Sequence, residues 1–130
     1  MIRSFRDLDV WRRSMALVKS VYLVAGQLPS TERFGLVPQL QRAAVSVPAN
    51  IAEGHGREST RDYLRFVSIA LGSISELATL LDLAMELYSL EGESYEEIRD
   101  ETEQLRLMLR SLQGSLRARI PAPSSPLPAP

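Results

Sequence analysis

Apolar residues recur at helical spacing along most of this chain, in four blocks separated by short polar turns. The longest block steps four and three residues at a time through Tyr63, Val67, Ala70, Ile74, Leu77, Leu81, Ala84 and Tyr88. Such steps place side chains on one face of an α-helix. The pattern predicts helices over residues 9–27, 36–53, 60–88 and 94–120. It therefore predicts an all-α fold, an antiparallel up-down-up-down four-helix bundle.

The first predicted helix carries two neighbouring apolar rows. One row is Leu8, Trp11, Met15, Val18, Tyr22 and Ala25, and the other is Val10, Leu17, Val21, Val24 and Leu28. Pro29 follows the second row and disfavours helix at the residue before it. The helix is therefore expected to end near residue 28.

The second predicted helix has a polar row on a face away from its apolar residues. The row consists of Gln39, Arg42, Ser46, Asn50 and Glu53. Short hydrogen-bonding side chains in one row indicate a polar seam that packs against another element, although a bent helix with a wet face fits the same pattern. Antiparallel packing brings Glu76 of the third helix near Arg42, so we predict a partly buried ion pair between them. Ser46 or Asn50 is expected to support that pair.

The third predicted helix is more apolar than the core of one bundle requires. Beside its main row it carries two apolar flanks, Leu64, Leu71, Ala78 and Met85 on one side and Phe66, Leu80, Leu83 and Leu87 on the other. A helix that is apolar nearly all round must be buried nearly all round. We predict that neighbouring copies share this surface, with Gly72, Ser73, Leu64 and Leu71 at or near the interface. The alternative is a larger core within one subunit.

Turn signals separate the helices and end the folded part of the chain. Gly54 is placed for a left-handed cap on the second helix. Ser94-x-x-Glu97 matches a capping box at the start of the fourth. The last ten residues, PAPSSPLPAP, contain five prolines and cannot continue a helix. The sequence predicts one domain over residues 1–120 and a disordered Pro-rich tail over 121–130.

Composition restricts the class of protein further. A chain of 130 residues has room for one hydrophobic core. The absence of cysteine excludes disulfides and thiolate metal sites. The N-terminus lacks the apolar run of a signal peptide, and no uncharged apolar stretch approaches 18 residues. These features predict a cytoplasmic protein without a membrane partner.

A net charge of −1 conceals an uneven distribution of charge. Residues 1–65 carry ten Arg or Lys against six Asp or Glu, whereas residues 66–130 carry five against ten. Fourteen of the fifteen basic residues are arginine, whose planar fork suits phosphates and carboxylates. Codon usage in a GC-rich genome explains the arginine excess equally well. The charge asymmetry points either to a ligand or to attraction between the two halves.

A segment of the second helix carries a family resemblance. The segment reads Arg42-Ala43-Ala44-x-Ser46-Val47-x-x-Asn50-Ile51-Ala52-Glu53-Gly54. It is accompanied by Phe5, Leu8, Val10-Trp11, Tyr22, Pro29, Glu32, Phe34-Gly35-Leu36, Phe66, Ala70, Gly72-Ser73 and Glu76-Leu77. Together these residues resemble the bacterial 23S rRNA intervening-sequence protein family, also called the four helix bundle protein family. The resemblance implies a homo-oligomeric ring, with a pentamer favoured, and kinship with the nucleic-acid-binding accessory protein of diversity-generating retroelements. It implies no known reaction.

The sequence offers little chemistry for an enzyme. His55 is the single histidine, and Glu53 and Glu58 are ordinary surface acids beside a turn. A di-iron bundle needs Glu-x-x-His pairs, which the sequence lacks. We therefore expect no catalytic residue, metal, cofactor or small-molecule substrate.

Two functional hypotheses from different classes remain. The first is a ring that binds RNA or DNA. Its candidate basic residues are Arg12, Arg13, Lys19, Arg57, Arg61 and Arg65, with Arg3 and Arg6 as further members. Arg57, Arg61 and Arg65 form one ridge, unless Glu58 and Asp62 neutralise it by local pairing. The second hypothesis is a protein scaffold, which a pI of about 5.9 favours.

Overall fold

The computed structural model describes residues 1–121, so the predicted Pro-rich tail lies outside the described residues except for Pro121. Its four α-helices are α1 (Asp9–Gln27), α2 (Leu36–His55), α3 (Thr60–Leu87) and α4 (Glu93–Arg119). Short 3-10 turns at Phe5–Asp7 and Ser30–Glu32 precede α1 and α2. The predicted helix bounds agree with the structure to within two residues at every end. The predicted all-α bundle is confirmed.

Contacts between helices show that neighbours run in opposite directions. Gln113 near the end of α4 donates to the Ser68 hydroxyl near the start of α3 at 3.2 Å. Arg99 near the start of α4 pairs with Asp82 near the end of α3 at 3.3 Å. The same reversal relates α1 to α4 and α2 to α3. The starts of α1 and α3 therefore point toward the same end of the bundle as the finishes of α2 and α4.

Of the two apolar rows on α1, the second is buried throughout, whereas the first is fully buried only at Ala25. Val10, Leu17, Val21, Val24 and Leu28 are all buried. In the first row Met15 and Tyr22 are exposed, while Trp11 and Val18 are half-buried against the core. The first row therefore follows the outer edge of the contact between α1 and α2.

Helix α2 continues through Pro48 and ends at His55. Pro48 is buried and has no N–H for the carbonyl of Ala44, one turn earlier. Gly54 lies inside the helix and is not among the residues with positive φ. The predicted left-handed cap at Gly54 is therefore wrong, and its actual role is a close packing contact described below.

Helix α3 contributes the largest share of the core, because it packs against both α2 and α4. Its predicted main row is buried from Val67 to Ala84, but Ile69, Leu83 and Leu87 remain exposed. By length and composition alone, α3 qualifies as a membrane span, and half of its most apolar window is buried inside the bundle. A central core helix meets the same criterion.

Glu32 ties the turn between α1 and α2 to the far end of α3. One carboxylate oxygen accepts the Leu36 N–H at 3.0 Å, and the other accepts the Tyr88 hydroxyl. These two hydrogen bonds, the Tyr88 bond first, hold the pKa of Glu32 below its usual range. A Cβ at Gly35 would collide with the same carboxylate. Gly35 therefore leaves room for the Glu32 cap on α2.

The start of α4 differs from the sequence prediction. The residue that caps α4 is Gly92, with φ of 117°, and no side chain caps the helix. The positive φ of Gly92 makes this glycine the N-cap residue. The helix therefore begins at Glu93, and Ser94 lies inside its first turn rather than at the N-cap. The predicted capping box of Ser94 and Glu97 is therefore wrong. A reciprocal capping box does form between Ser4 and Asp7, ahead of α1.

Candidate nucleic-acid interface

The corner between α2 and α3 depends on close contact at Gly54. A Cβ at this position would lie 2.7 Å from the Cβ of Phe66 and 3.1 Å from Cδ1 of Tyr63. Real Cβ atoms do not approach that closely, so only glycine lets the last turn of α2 rest on the first turns of α3. This contact fixes where the arginine ridge of α3 emerges.

Phe66 orients two of the ridge arginines. The Cζ atom of Arg57 lies 4.9 Å from the Phe66 ring centroid, and that of Arg65 lies 4.7 Å from it. Phe66 itself is 6% exposed. Guanidinium groups at this distance are attracted to the electron-rich face of the ring. A buried, immobile ring thus holds two positive charges at the surface.

The local pairing that would neutralise the ridge is not present. Within residues 1–121, neither Glu58 nor Asp62 forms an ion pair with Arg61 or Arg65. Arg57 is the one ridge member that is paired, to Glu53 at 2.8 Å. At the start of α3, Ser59 accepts the Asp62 N–H at 3.0 Å and caps the helix.

The antiparallel topology adds two arginines that are not among the candidate basic residues predicted from the sequence. Arg117 and Arg119 lie in the last turn of α4, beside the start of α3. Burial raises the pKa of the Tyr63 hydroxyl on α3, and the positive charge of Arg119 opposes that rise. Arg119 is therefore close enough to α3 to act on it electrostatically. We call Arg57, Arg61, Arg65, Arg117 and Arg119 the basic end. The antiparallel topology predicted from the sequence already brings the end of α4, and with it Arg117 and Arg119, beside the start of α3.

The opposite end of α3 and α4 is strongly acidic. Between residues 82 and 106 the chain carries nine carboxylates and two arginines. We call this region the acidic end; its carboxylates are Asp82, Glu86, Glu91, Glu93, Glu96, Glu97, Asp100, Glu101 and Glu103. At 1.5 Å per residue, α3 is about 40 Å long, and the nearest members of the two ends, Glu103 and Arg117 on α4, are about 20 Å apart.

The α1 candidates lie on a different helix from the arginine ridge. Arg12 pairs with Asp7 at 3.7 Å and donates to the Arg6 carbonyl at 2.9 Å. Arg13 donates to Gln104 of α4 at 2.9 Å, and Lys19 is exposed beside Val18. Arg12 and Arg13 thus contribute contacts within the subunit. Arg3 and Arg6 are exposed in the segment before α1.

The polar seam forms only in part. The hydroxyls of Ser46 and Ser73 are 2.7 Å apart across α2 and α3, and Asn50 Nδ2 donates to the Ser46 hydroxyl at 2.9 Å. Arg42 and Glu76 are both exposed, and residues 1–121 contain no ion pair between them. The predicted partly buried ion pair is therefore wrong: fully hydrated ions gain little from pairing.

The two outer members of the polar seam, Gln39 and Glu53, do not pack between α2 and α3. Gln39 is exposed, and Glu53 is exposed and turned toward Arg57. The packed part of the seam is thus confined to its three small polar side chains, Ser46, Asn50 and Ser73. These are the side chains that α2 and α3 can bring together without burying a charge.

The predicted interface residues of α3 occupy different environments. Leu71 is buried and Leu64 is half-buried within the subunit. Gly72 is exposed, with no atom within 4 Å of the position that a Cβ would take. Ser73 is half-buried in its hydrogen bond to Ser46. Their part in an oligomer remains a prediction.

A second apolar surface lies along α1 and α2. A groove of about 570 Å³ between these helices is lined by Tyr22, Pro38, Gln41, Arg42, Val45 and Ser46. Tyr22 and Val45 are 47% and 43% exposed. Sequence reasoning missed this surface, because periodicity alone does not tell which of two neighbouring apolar rows faces the core.

His55 packs against protein groups at the basic end. Its ring meets that of Tyr63 edge-on, at 5.7 Å between centroids and 90° between planes. In the part of the chain that the structure describes, no three His, Asp or Glu side chains are grouped to hold a metal ion. The site therefore offers fixed positive charge and hydrogen-bond donors rather than reactive groups.

Comparison with known proteins agrees with this architecture. A protein of unknown function from the S23 ribosomal protein family of Bacteroides thetaiotaomicron has a similar crystal structure, with a TM-score of 0.71 and 26% sequence identity. The similarity covers 80% of this chain and 97% of that one. No functionally curated protein matches the chain.

A family model matches the chain over most of its length. The match spans residues 6–111, from the turn before α1 into the second half of α4. It includes the Gly54 corner, the arginine ridge and the polar seam. The chain therefore belongs to the 23S rRNA-intervening sequence protein family.

Proposed function

We propose that this protein is a non-enzymatic, homo-oligomeric bundle that binds the phosphate backbone of RNA or DNA through its basic end. One observation carries the proposal. Arg61 and Arg65 have no ion-pair partner among residues 1–121, and Arg117 and Arg119, likewise unpaired there, lie at the same end of the bundle. Exposed arginines without internal partners are available to a phosphate.

The arrangement of the arginines supports this role. Phe66 restricts Arg57 and Arg65, so less side-chain freedom is lost when a ligand binds. Arginine presents a planar fork that matches two phosphate oxygens at once. The overall acidity of the chain does little to weaken this surface, because most of the excess carboxylates lie roughly 30 Å away at the acidic end.

Self-association would multiply the charge that each ligand meets. The resemblance favours a pentamer, which brings five basic ends into one assembly. Two surfaces support contact between copies: the exposed residues Ile69, Gly72 and Leu83 of α3, and the apolar groove between α1 and α2. Light scattering is expected to give a mass several times 14.5 kDa. A stable monomer at micromolar concentration would contradict this part of the proposal.

A binding titration tests nucleic-acid recognition. The wild-type protein is titrated with structured RNA, single-stranded DNA and duplex DNA at two salt concentrations. Replacing Arg57, Arg61 and Arg65 by Gln should weaken binding to all sequences about equally. Each lost phosphate contact should lower the slope of log affinity against log salt by about 1.

For a single ridge variant, Arg61→Gln, the matched control is Arg33→Gln, which also removes one charge but near the opposite end. Arg33 is exposed and stacks over Phe34 at 4.9 Å. Its replacement should leave the affinity and the salt slope unchanged. Equal losses in the control and the ridge variant would show that total charge, rather than the basic end, determines binding.

The second candidate function is a protein scaffold without nucleic-acid binding. The apolar groove between α1 and α2 supports it, because half-exposed aromatic and aliphatic side chains are typical of protein contacts. If the wild-type protein bound none of these nucleic acids at low salt, the result would favour the scaffold function over nucleic-acid binding.

A further inference from the structure

We propose that the basic end takes nucleic acid as a double helix, through phosphates along its backbone, and does not stack unpaired bases. This inference rests on the proposed function and specifies the class of ligand. Proteins that hold single strands without sequence preference combine a basic groove with aromatic rings on which successive bases stack. The basic end has the charges, but the rings that lie beside its ridge arginines are enclosed.

Phe66 is the aromatic residue nearest the arginine ridge, and its ring is already occupied. It is 6% exposed, and the guanidinium groups of Arg57 and Arg65 lie 4.9 and 4.7 Å from its centroid. A nucleobase would have to displace both arginines to reach the ring. That displacement would remove the charges that attract the strand.

Tyr63 is the second aromatic residue at this end, and it is also enclosed. It is half-buried and packs against the core. The His55 ring meets it edge-on, and the backbone of Gly54 lies against its side chain. Neither His55 nor Tyr63 presents an open face to solvent in the way that a stacking platform requires.

The exposed aromatic residues lie elsewhere on the subunit. Phe34 is 85% exposed in the turn that joins α1 to α2, and Tyr22 is 47% exposed in the groove between these helices. Both lie toward the acidic end, on the order of 30 Å from the ridge along the bundle axis. A single strand stacked on them would pass the nine carboxylates of the acidic end and leave the ridge arginines unused.

The shape of the basic end also fits a backbone better than a threaded strand. Arg61 and Arg65 stand one helical turn apart, about 6 Å, on the exposed side of α3, and Arg57 lies in the turn before α3. Arg117 and Arg119 stand beside them at the end of α4. The arginines thus lie exposed where the start of α3 meets the end of α4. An exposed row of cations can lie along the phosphates of a duplex, whose charge density exceeds that of a single strand.

The experiment compares paired and unpaired forms of one sequence. The full-length wild-type protein is titrated with an RNA hairpin, with a scrambled unstructured RNA of the same composition, and with a DNA duplex and its separate strands. We expect the paired forms to bind about tenfold more tightly at low salt, with the steeper salt dependence. Single strands that bind as tightly as the paired forms would overturn the inference while leaving the proposed function intact.

Two variants test how the arginines are held. Arg65→Lys keeps the charge but loses the planar group that stacks on Phe66, and should weaken duplex binding several-fold. Phe66→Leu should do the same without changing any charge, and its thermal unfolding is measured alongside to separate loss of binding from loss of fold. Unchanged duplex affinity in Arg65→Lys would overturn the positioning role of Phe66.

A last variant tests for base stacking directly. If Phe34→Leu abolished binding of single strands and spared the duplex, an aromatic platform would exist and the inference would be wrong. We expect this variant to bind every nucleic acid as the wild type does. Absence of binding by wild type to any form would overturn both the inference and the proposed function.

Discussion

The basic end and the acidic end lie on the same helices, yet their charged side chains have different partners. At the acidic end, Arg99 pairs with Asp82 at 3.3 Å and with Glu96 at 3.8 Å, and Arg106 pairs with Glu103. At the basic end, Arg57 is the one arginine with an ion pair among residues 1–121. At the acidic end Arg99 therefore links α4 to α3 and Arg106 is paired within α4, whereas most arginines at the basic end remain available to a ligand.

The ends also differ in how the backbone is fixed. At the basic end, direct contact of α2 with α3 through Gly54 excludes any side chain. At the other end, the Glu32 carboxylate bridges the turn before α2 and the last residue of the α3 region, Tyr88. One end is held by close packing and the other by a titratable group. The two ends should therefore respond to different perturbations.

The largest effect is expected from Gly54→Ala. The added Cβ meets Phe66 and Tyr63 side chains within 3.1 Å, so α2 and α3 must separate, which costs about 2 kcal/mol of unfolding free energy. Urea unfolding measures the change. Gly114→Ala is the matched control, because a Cβ there meets nothing within 4 Å and should stabilise α4 by up to about 1 kcal/mol. Equal unfolding free energies for the two variants would contradict close packing as the constraint at the basic end.

An intermediate, pH-dependent effect is expected from Glu32→Gln. Hydrogen bonds from Tyr88 and then Leu36 lower the folded-state pKa of Glu32 below its usual value of 4.5. Stability from this carboxylate is therefore present above pH 4.5 and is lost as pH falls through the lower, folded-state pKa. The variant should be less stable than wild type at neutral pH, and the gap should narrow in acid.

Thermal unfolding of both proteins from pH 7 down to about pH 3 measures that gap. Asp7, whose pKa is lowered mainly by the N–H groups of Arg3 and Ser4, is present in both proteins. Its contribution therefore cancels in the comparison. A gap that stayed constant with pH would show that the Glu32 charge does not stabilise the turn.

The smallest effects are expected from single arginines. Arg99→Gln removes two surface ion pairs at the acidic end and should cost about 0.5 kcal/mol. Arg61→Gln removes an unpaired charge at the basic end and should leave stability unchanged. High salt should reduce the first effect and not the second. A larger loss in Arg61→Gln than in Arg99→Gln would mean that Arg61 has a structural role.

Local signals in the sequence were sufficient to predict the four helices. Three- and four-residue spacing defines their faces, and Pro29 and the glycines near residue 55 mark their ends. The capping residue of α4 was missed because it depends on the backbone conformation of Gly92, which the sequence leaves open. The two rows of α1 could not be told apart either. Which row is buried depends on where α2 and α4 sit.

The site was predictable only where it lies on one helix. The ridge of Arg57, Arg61 and Arg65 follows from spacing alone. The proximity of Arg117 and Arg119 depends on chain topology, and the contact of Phe66 with two arginines depends on side-chain packing. The predicted ion pair of Arg42 and Glu76 shows the opposite error. Helix register places these two residues at similar levels of the bundle, but both side chains are exposed to water.

The separation of charge along α3 has a further consequence for encounters with a polyanion. Each subunit has its charges separated along an axis of about 30 Å, and a nucleic acid exerts a torque that turns the basic end toward it. The acidic end, which faces away from the nucleic acid, repels phosphate. A subunit bound in this way would be unable to bridge two nucleic-acid molecules end to end, so it would coat a backbone on one side without cross-linking it.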